Sequence, residues 1–417
     1  MNVILKAGRE KSLLRRHPWI FSGGIQQVEG PSAASGSTVD LLSFNKQFLA
    51  RASYSPASQI RARVWTFDPD EAIDTDFFRS RIRQAIERRI SIFNDRFSII
   101  DNNTWLLNAP HSNAIRLVYA ESDGLPGLIV DRYNEILVMQ CLTAGIEYWK
   151  ETIADILTAE TGLATIYERS DADVRELEGL PPHTGILRKS IIKDPEADDQ
   201  TTRTVITEYE LKFAVNFASG HKTGFYIDQR ENRLRVRELA QDKDVLDCFC
   251  YTGGFTVNAL AGEAKSVLSV DSSADALSLC KENIALNHLP SERHTALEGD
   301  VFQLLRKFRD EKRSFDMIVL DPPKFAPTAA HADKATRAYK DINLLAFKLL
   351  RSGGTLVTFS CSGGVDAALF QKIIAGAALD AGVDAQIVEY LSQAPDHPVS
   401  LHFPEGAYLK GLVCLKK

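Results

Sequence analysis

From residue 244 onward, short apolar runs and amphipathic stretches take turns along the chain. Apolar runs at 245–249, 266–270, 295–298, 315–320 and 354–360 read as buried strands, and 255–261, 274–287, 301–309 and 339–350 between them carry helical spacing. That alternation predicts a parallel sheet with helices on both faces. The first 66 residues have another rhythm. Strand-like runs at 37–43, 47–52 and 59–66, separated by Asn45-Lys46 and Ser55-Pro56, predict a small β-rich domain. After Asp68-Pro69-Asp70, read as a linker, residues 74–93 place Phe77, Ile82, Ala85, Ile86 and Ile90 at helical spacing between arginines. Runs at 115–120, 128–131, 136–140 and 164–168, with a helix near 148–159, predict an α/β middle domain. The acidic run 193–202 reads as a loop and 209–217 as a strand entering the third part. The expected fold class is α/β, divided at 1–67, 68–203 and 204–417.

Composition narrows the class. The 417 residues are 44% hydrophobic and 25% charged, without a low-complexity tract, as in a folded globular chain. No run approaches eighteen apolar residues, which argues against a membrane span. Residues 1–10 lack the apolar core of a signal peptide, and six cysteines in a chain this long do not make a disulfide framework. The expected compartment is reducing and cytoplasmic. Net charge is −6, but residues 1–66 hold nine Lys/Arg against Glu10, Glu29 and Asp40, which makes that segment +6 and the remainder −12. A basic end on an acidic body suits a polyanion on one face, although a merely solvated surface has the same composition.

Ligands of parallel α/β sheets lie at the carboxyl ends of the strands. The first of these strands ends in Asp247-Cys-Phe-Cys-Tyr251-Thr252-Gly253-Gly254, where paired glycines allow close approach to the start of a helix. The spacing departs from the G-x-G-x-x-G of a dinucleotide cradle, which argues against NAD. The next two strands end in Asp271, placed to chelate ribose hydroxyls, and in Gly299-Asp300, placed to accept from an adenine amino group. Acids at three successive strand ends, around a glycine turn with no phosphate cradle, describe a nucleoside carrying positive charge, S-adenosylmethionine. The competing reading is that Asp271 and Asp300 only cap the helices that follow. The fourth strand ends in Asp321-Pro322-Pro323-Lys324, whose prolines hold the Asp321 carboxylate at the sheet edge. The fifth runs into Ser360-Cys361-Ser362, a strand-end cysteine whose flanking serines and glycines favour a nucleophile over a buried hydrophobe.

These residues resemble the large-subunit ribosomal RNA cytosine-5 methyltransferases that begin with a PUA domain, and the resemblance covers nearly the whole chain. It is carried by Lys6-Ala-Gly-Arg9-Glu10 and His17-Pro18-Trp19-Ile20-Phe21, by the run from Ser122 to Tyr133, by Lys222-Thr-Gly-Phe-Tyr-Ile-Asp-Gln229-Arg230, and by Phe403-Pro-Glu405 with Tyr408-Leu-Lys410-Gly-Leu412. The resemblance implies a PUA-like RNA-binding domain, an α/β middle domain and a Rossmann-like class I methyltransferase domain. It further implies that Gln229 and Arg230 help hold the cofactor, that Asp271 and Asp300 bind ribose and adenine, and that Cys361 is the nucleophile. Lys6, Arg9, Arg15, Arg16, Lys222 and Lys324 are the cations expected to meet ribosomal RNA, and a homodimer is an assembly the sequence leaves open.

Carbon-5 of cytosine is too weak a nucleophile to take a methyl group directly, so a thiolate must first add at carbon-6. Cys361 is assigned that addition, and Asp321 a hydrogen bond that supports protonation of cytosine nitrogen-3. No second cysteine stands in Asp321-Pro322-Pro323-Lys324, so the releasing base is Asp321 or a water. Cys141, Cys248, Cys250, Cys280 and Cys414 read as core, and no metal set is visible. Trp19, Phe21, Tyr54 and Trp65 fit either base stacking or a small core. Two other functions compete: methylation of a guanine or adenine nitrogen, which needs no thiol, and a non-catalytic RNA-binding assembly factor.

Overall fold

Strand pairing follows the alternation of apolar residues in each part of the chain. The computed structural model describes residues 1–31, 34–94, 112–189, 202–325 and 332–417. The chain forms two compact units, one of Met1–Thr207, Val215–Ile227 and Pro395–Gly406, the other of Glu208–Ala214, Asp228–Ala394 and Ala407–Lys417.

The first unit opens with β1 (Asn2–Leu5), α1 (Lys11–Leu14), β2 (Trp19–Phe21), β3 (Ile25–Glu29), β4 (Thr38–Leu42), β5 (Phe48–Tyr54) and β6 (Ile60–Thr66). They form a six-stranded sheet in the order β2-β6-β5-β4-β1-β3. Val3, Leu5, Val39 and Leu41 alternate inward with Leu13 and Ile20 to make its core. The runs at 37–43, 47–52 and 59–66 appear as β4, β5 and β6, whereas β1, β2 and β3 were not legible. After them come α2 (Thr75–Asn94), β7 (Ala114–Tyr119), β8 (Leu128–Tyr133), β9 (Ile136–Cys141), α3 (Ala144–Thr161), β10 (Thr165–Ser170), α4 (Val174–Leu177) and β11 (His183–Arg188). Their sheet has the order β11-β10-β9-β8-β7. Only β9 and β10 pair in parallel, and α3 is the crossover that parallel pairing requires.

These two sheets share one body. A Cβ on Gly145, at the start of α3, would lie 2.5 Å from Ser53 Cβ and 2.7 Å from Trp65 Cζ2, so glycine is what lets the helix press against β5 and β6. Trp65 is 3% exposed and packs edge-on against Phe78 at 5.4 Å, in the core of the second sheet rather than the first. Its candidacy for base stacking ends there.

Strands β12 (Arg203–Glu208) and β13 (Leu211–Asn216) pair as a two-stranded sheet. The expected loop at 193–202 lies, but for Thr202, outside the described residues. The second unit contains α5 (Arg230–Leu239), β14 (Asp244–Cys248), α6 (Gly254–Ala261), β15 (Ser266–Asp271), α7 (Ala274–Leu286), β16 (His294–Glu298), α8 (Val301–Asp310), β17 (Phe315–Leu320), α9 (Ala332–Leu349), β18 (Leu350–Ser360), α10 (Ala367–Ala381), β19 (Ala385–Ser392) and β20 (Lys410–Lys416). Its sheet runs β16-β15-β14-β17-β18-β20-β19, parallel except for β20, which is antiparallel to both neighbours. Right-handed crossovers in that order put α6 and α7 on one face and α8 and α9 on the other. The order reverses between β14 and β17, and such a switch point opens a crevice at the carboxyl ends of the strands. No described helix is long and apolar enough to cross a membrane.

Candidate active site

The segment after β14 is bent by three residues in left-handed conformation, Phe249 (φ 61°), Tyr251 (φ 49°) and Gly253 (φ 81°). Two of the three carry side chains, so the turn stores strain of a kind that collects at functional sites. Asp271, ending β15, accepts the Tyr251 N–H at 2.8 Å through Oδ2 and the Ser273 N–H at 2.9 Å through Oδ1. One carboxylate thus pins the loop from β14 and orients its own turn. A Cβ on Gly253 would stand 2.3 Å from Cys280 Sγ, and one on Gly254 2.9 Å from Arg233 Cδ, so both glycines serve the approach of neighbouring helices. The buried Cys280 and Cys250 thiols are coupled: Cys250 and His294 hold Cys280 below the ordinary thiol range, and Cys280 and burial push Cys250 up, a pairing of two core cysteines that no local pattern announces.

Asp247 is 1% exposed. Its Oδ2 accepts from Thr256 Oγ1 at 2.6 Å, its Oδ1 has no partner among the described residues, and burial pushes the carboxyl up to about 8. Thr252 Oγ1, buried in the same turn, is likewise without a partner. Two orphaned oxygens beside the bend, one carboxyl and one hydroxyl, offer hydrogen bonds to a ligand, and a carboxyl that is relieved by a neighbouring positive charge fits a cationic nucleoside. Gly299 donates its N–H to the Asp271 carbonyl at 2.9 Å, which brings the β16 end to the β15 end. Asp300 is exposed and caps α8 by accepting from the Gln303 N–H at 2.9 Å, the capping role that competed with adenine binding. That contact leaves its other carboxylate oxygen for a ligand.

Across the switch point stand the groups expected to do chemistry. Asp321 follows β17, and its Oδ1 accepts from Gln229 Nε2 at 3.0 Å. Gln229 in turn accepts from Asn232 Nδ2 at 2.6 Å. Gln229, read from the resemblance as a cofactor ligand, therefore contacts the chemical side of the crevice. Arg230, 1% exposed, begins α5 beside it. Cys361 follows β18, the neighbour of β17, and is the one cysteine of the six that is not buried. Tyr339 of α9 ties the two ends together. Its hydroxyl lies 3.0 Å from Ser362 Oγ, and its pKa is raised by burial and by the charges of both Cys361 and Asp321. Lys410, opening β20, donates to the Ser362 carbonyl at 2.8 Å. Sequence reasoning missed Asn232, Tyr339 and the placement of Lys410 beside the Cys361 turn.

Among the cations expected to meet RNA, Lys6, Arg9, Arg15 and Arg16 are exposed on the first unit. Lys6 Nζ donates to the Gly23 carbonyl at 2.9 Å, and Arg16 lies 5.3 Å over the Phe67 ring in a cavity of about 790 Å³ that also holds Arg81, Glu71, Glu121 and His402. Lys222 is exposed 4.4 Å over the Tyr226 ring, and Lys324 is exposed after Asp321. Trp19 donates to Glu121 at 2.8 Å and packs against Phe403, while Phe21 is 54% exposed.

Residues 3–67 match the PUA-like domain family, and residues 196–412 match the S-adenosylmethionine-dependent methyltransferase family. Over 413 residues the chain is 49% identical to ribosomal RNA large subunit methyltransferase I of Shewanella amazonensis, covering 99% of this chain and 98% of that one. The chain belongs to the ribosomal RNA large subunit methyltransferase I family. The Escherichia coli member is 46% identical over 418 residues, 99% of each chain. Among solved structures, SMU.776 in complex with SAH superposes with a TM-score of 0.82 over 100% of both chains at 19% identity, which shows a shared fold. The protein is an S-adenosylmethionine-dependent methyltransferase, and the carboxyl-terminal crevice lies within the matched segment.

Proposed function

We propose that this methyltransferase forms 5-methylcytosine in large-subunit ribosomal RNA through a covalent adduct at Cys361. The observation that carries the reading is the pairing of an accessible thiol with a carboxyl group at adjacent strand ends, both within electrostatic reach of Tyr339. Nitrogen methylation has no use for the thiol. The substrate class is that in the names of the curated relatives. S-adenosylmethionine supplies the electrophilic methyl group, with Asp247, Tyr251, Thr252, Asp271, Gly299 and Asp300 around it.

The Cys361 thiolate adds to carbon-6 of the base, and the displaced π electrons make carbon-5 nucleophilic. Asp321, its rotamer fixed by Gln229, faces nitrogen-3 and supports its protonation. After methyl transfer the carbon-5 proton leaves to Asp321 or a water, the double bond re-forms and the sulfur is expelled. The basic face of the PUA-like domain, with Lys6, Arg9, Arg15 and Arg16, holds the RNA.

RNA carrying 5-fluorocytosine at the target tests this directly. Fluorine replaces the departing proton, so elimination stops and a denaturation-resistant complex accumulates, dependent on S-adenosylmethionine, with the link at Cys361. Cys361→Ala abolishes both adduct and product while retaining cofactor binding. A Cys361→Ala enzyme that methylates near the wild-type rate returns the assignment to nitrogen methylation.

A further inference from the structure

Lys410 pairs across the sheet with Ser360, the residue before Cys361, on one side and with Ser392 on the other. Its side chain does not run out to water. Nζ donates at 2.8 Å to the backbone carbonyls of Ser362 and Tyr408, which fixes the ammonium against the turn that presents Cys361. Two of its three N–H groups are used this way, and the third remains for an anion. A lysine half-withdrawn from water needs an anion or strong acceptors nearby to stay charged. Two carbonyl oxygens supply part of that need.

We propose that Lys410 is a positioning residue whose ammonium holds Cys361 as the thiolate that adds to carbon-6, an inference that rests on the cytosine-5 reading above. The coupling runs both ways. Burial lowers Lys410 to about 8, the charge of Cys361 raises it, and by reciprocity the ammonium favours the thiolate to the same extent. Among the described residues, the charged or titratable groups that act on Lys410 or share Tyr339 with Cys361 include Asp366 before α10, Lys324 and Asp321 after β17, and Tyr339 of α9 itself. Asp366 and Asp321 oppose the thiolate, and Lys324, being exposed, screens them weakly. Lys410 is thus the held cation among these groups.

In the addition, the sulfur lone pair forms the S–C6 bond and the C5=C6 pair moves to carbon-5. In the elimination, the C5–H pair re-forms C5=C6, the proton passes to Asp321 or water, and the S–C6 pair returns to sulfur beside the same ammonium. Lys410 therefore lowers the cost of the thiolate at both ends of the reaction and exchanges no proton itself.

The test is alkylation of the full-length protein by iodoacetamide across pH 5 to 10, read by mass spectrometry on the Cys361 peptide. The wild-type midpoint is expected below the free-thiol value of about 8.5. Lys410→Met is expected to raise it by about one unit or more, and Lys410→Arg, which keeps the charge, to leave it within a few tenths of wild type. Methyl transfer by Lys410→Met is expected to fall about tenfold at pH 7 and to recover towards pH 9, where the thiol ionises unaided. Should Lys410→Met fail to fold, the wild-type profile decides, and a midpoint at or above the free-thiol value overturns the proposal. So does a folded Lys410→Met protein with an unchanged alkylation profile while Cys361→Ala is inactive. An active Cys361→Ala enzyme instead overturns the cytosine-5 reading, whatever the alkylation profile shows.

Discussion

Gln229 donates its side-chain amide to Asp321 Oδ1 at 3.0 Å while Asn232 holds Gln229 Oε1 at 2.6 Å, so the carboxyl group at the end of β17 is oriented from α5. Asn232 also donates to the Ser392 carbonyl at 3.0 Å, which anchors the chain of bonds in β19. Gln229 is 2% exposed, so its hydrogen bond is shielded from competing water. Gln229→Ala is expected to lower the single-turnover methylation rate about tenfold, the equivalent of one hydrogen bond to a charged group, with S-adenosylmethionine affinity unchanged. Gln229→Glu, which sets a second carboxylate against Asp321, should cost more. Calorimetry alongside the rates separates this from a cofactor role, in which affinity and rate would fall together.

The βα rhythm from residue 244 was legible because each strand is a continuous apolar run and each helix keeps its spacing, both local properties. Asp247, Asp271, Asp300, Asp321 and Cys361 could be found for the same reason, since each stands where an apolar run stops. What remained hidden depends on residues far apart in sequence. Lys410 reaches the Cys361 turn only because β20 inserts between β18 and β19, and nothing local announces that insertion. The burial of Trp65 against α2 and α3 was invisible for a similar reason, because one strand of the first sheet lends its aromatic to the core of the second. The segment from Pro395 to Gly406, between β19 and β20, belongs to the first unit, a return of the chain that composition cannot foretell.

Asp271 gives a second expectation. Its two oxygens are already aimed by the N–H groups of Tyr251 and Ser273, and each retains a lone pair for a ribose hydroxyl. Asp271→Ala removes both the acceptor and the pin on the β14 loop. S-adenosylmethionine binding measured by calorimetry is expected to weaken by about 1–3 kcal/mol. Unaltered affinity would show that the nucleoside lies elsewhere.

RNA affinity is expected to reside in exposed cations of the first domain. Deleting residues 1–66 is a poor test, because it would strip Trp65 from the core around Phe77 and Phe78. Replacing Lys6, Arg9 and Arg15 together with alanine leaves that core untouched. If each meets a phosphate of single-stranded RNA, the slope of log affinity against log salt should shrink by about 2, at about 0.7 per contact. Cofactor affinity should not move. Binding and salt dependence equal to wild type would assign the RNA to another face.

Asp247 links stability to pH with a sign opposite to that of most carboxylates. In the unfolded chain its carboxyl titrates near about 3.9, and in the fold burial raises it to about 8. Between those values the folded protein keeps a proton that the unfolded chain has lost, so this group's contribution falls as pH rises from about 4 to 8 and levels off above. The hydrogen bond from Thr256 Oγ1 offsets only part of the burial. Asp247→Asn is similar in shape and has no proton to lose. The melting temperature of the variant minus that of the wild type, without cofactor, should therefore climb steadily between pH 5 and pH 8. S-adenosylmethionine brings positive charge to the crevice and favours the ionised carboxylate. Binding near pH 7 is then expected to release a fraction of a proton, seen in calorimetry as a heat that varies with the ionisation enthalpy of the buffer, and Asp247→Asn should remove that dependence. A melting difference that stays flat with pH would mean that Asp247 ionises normally inside the fold.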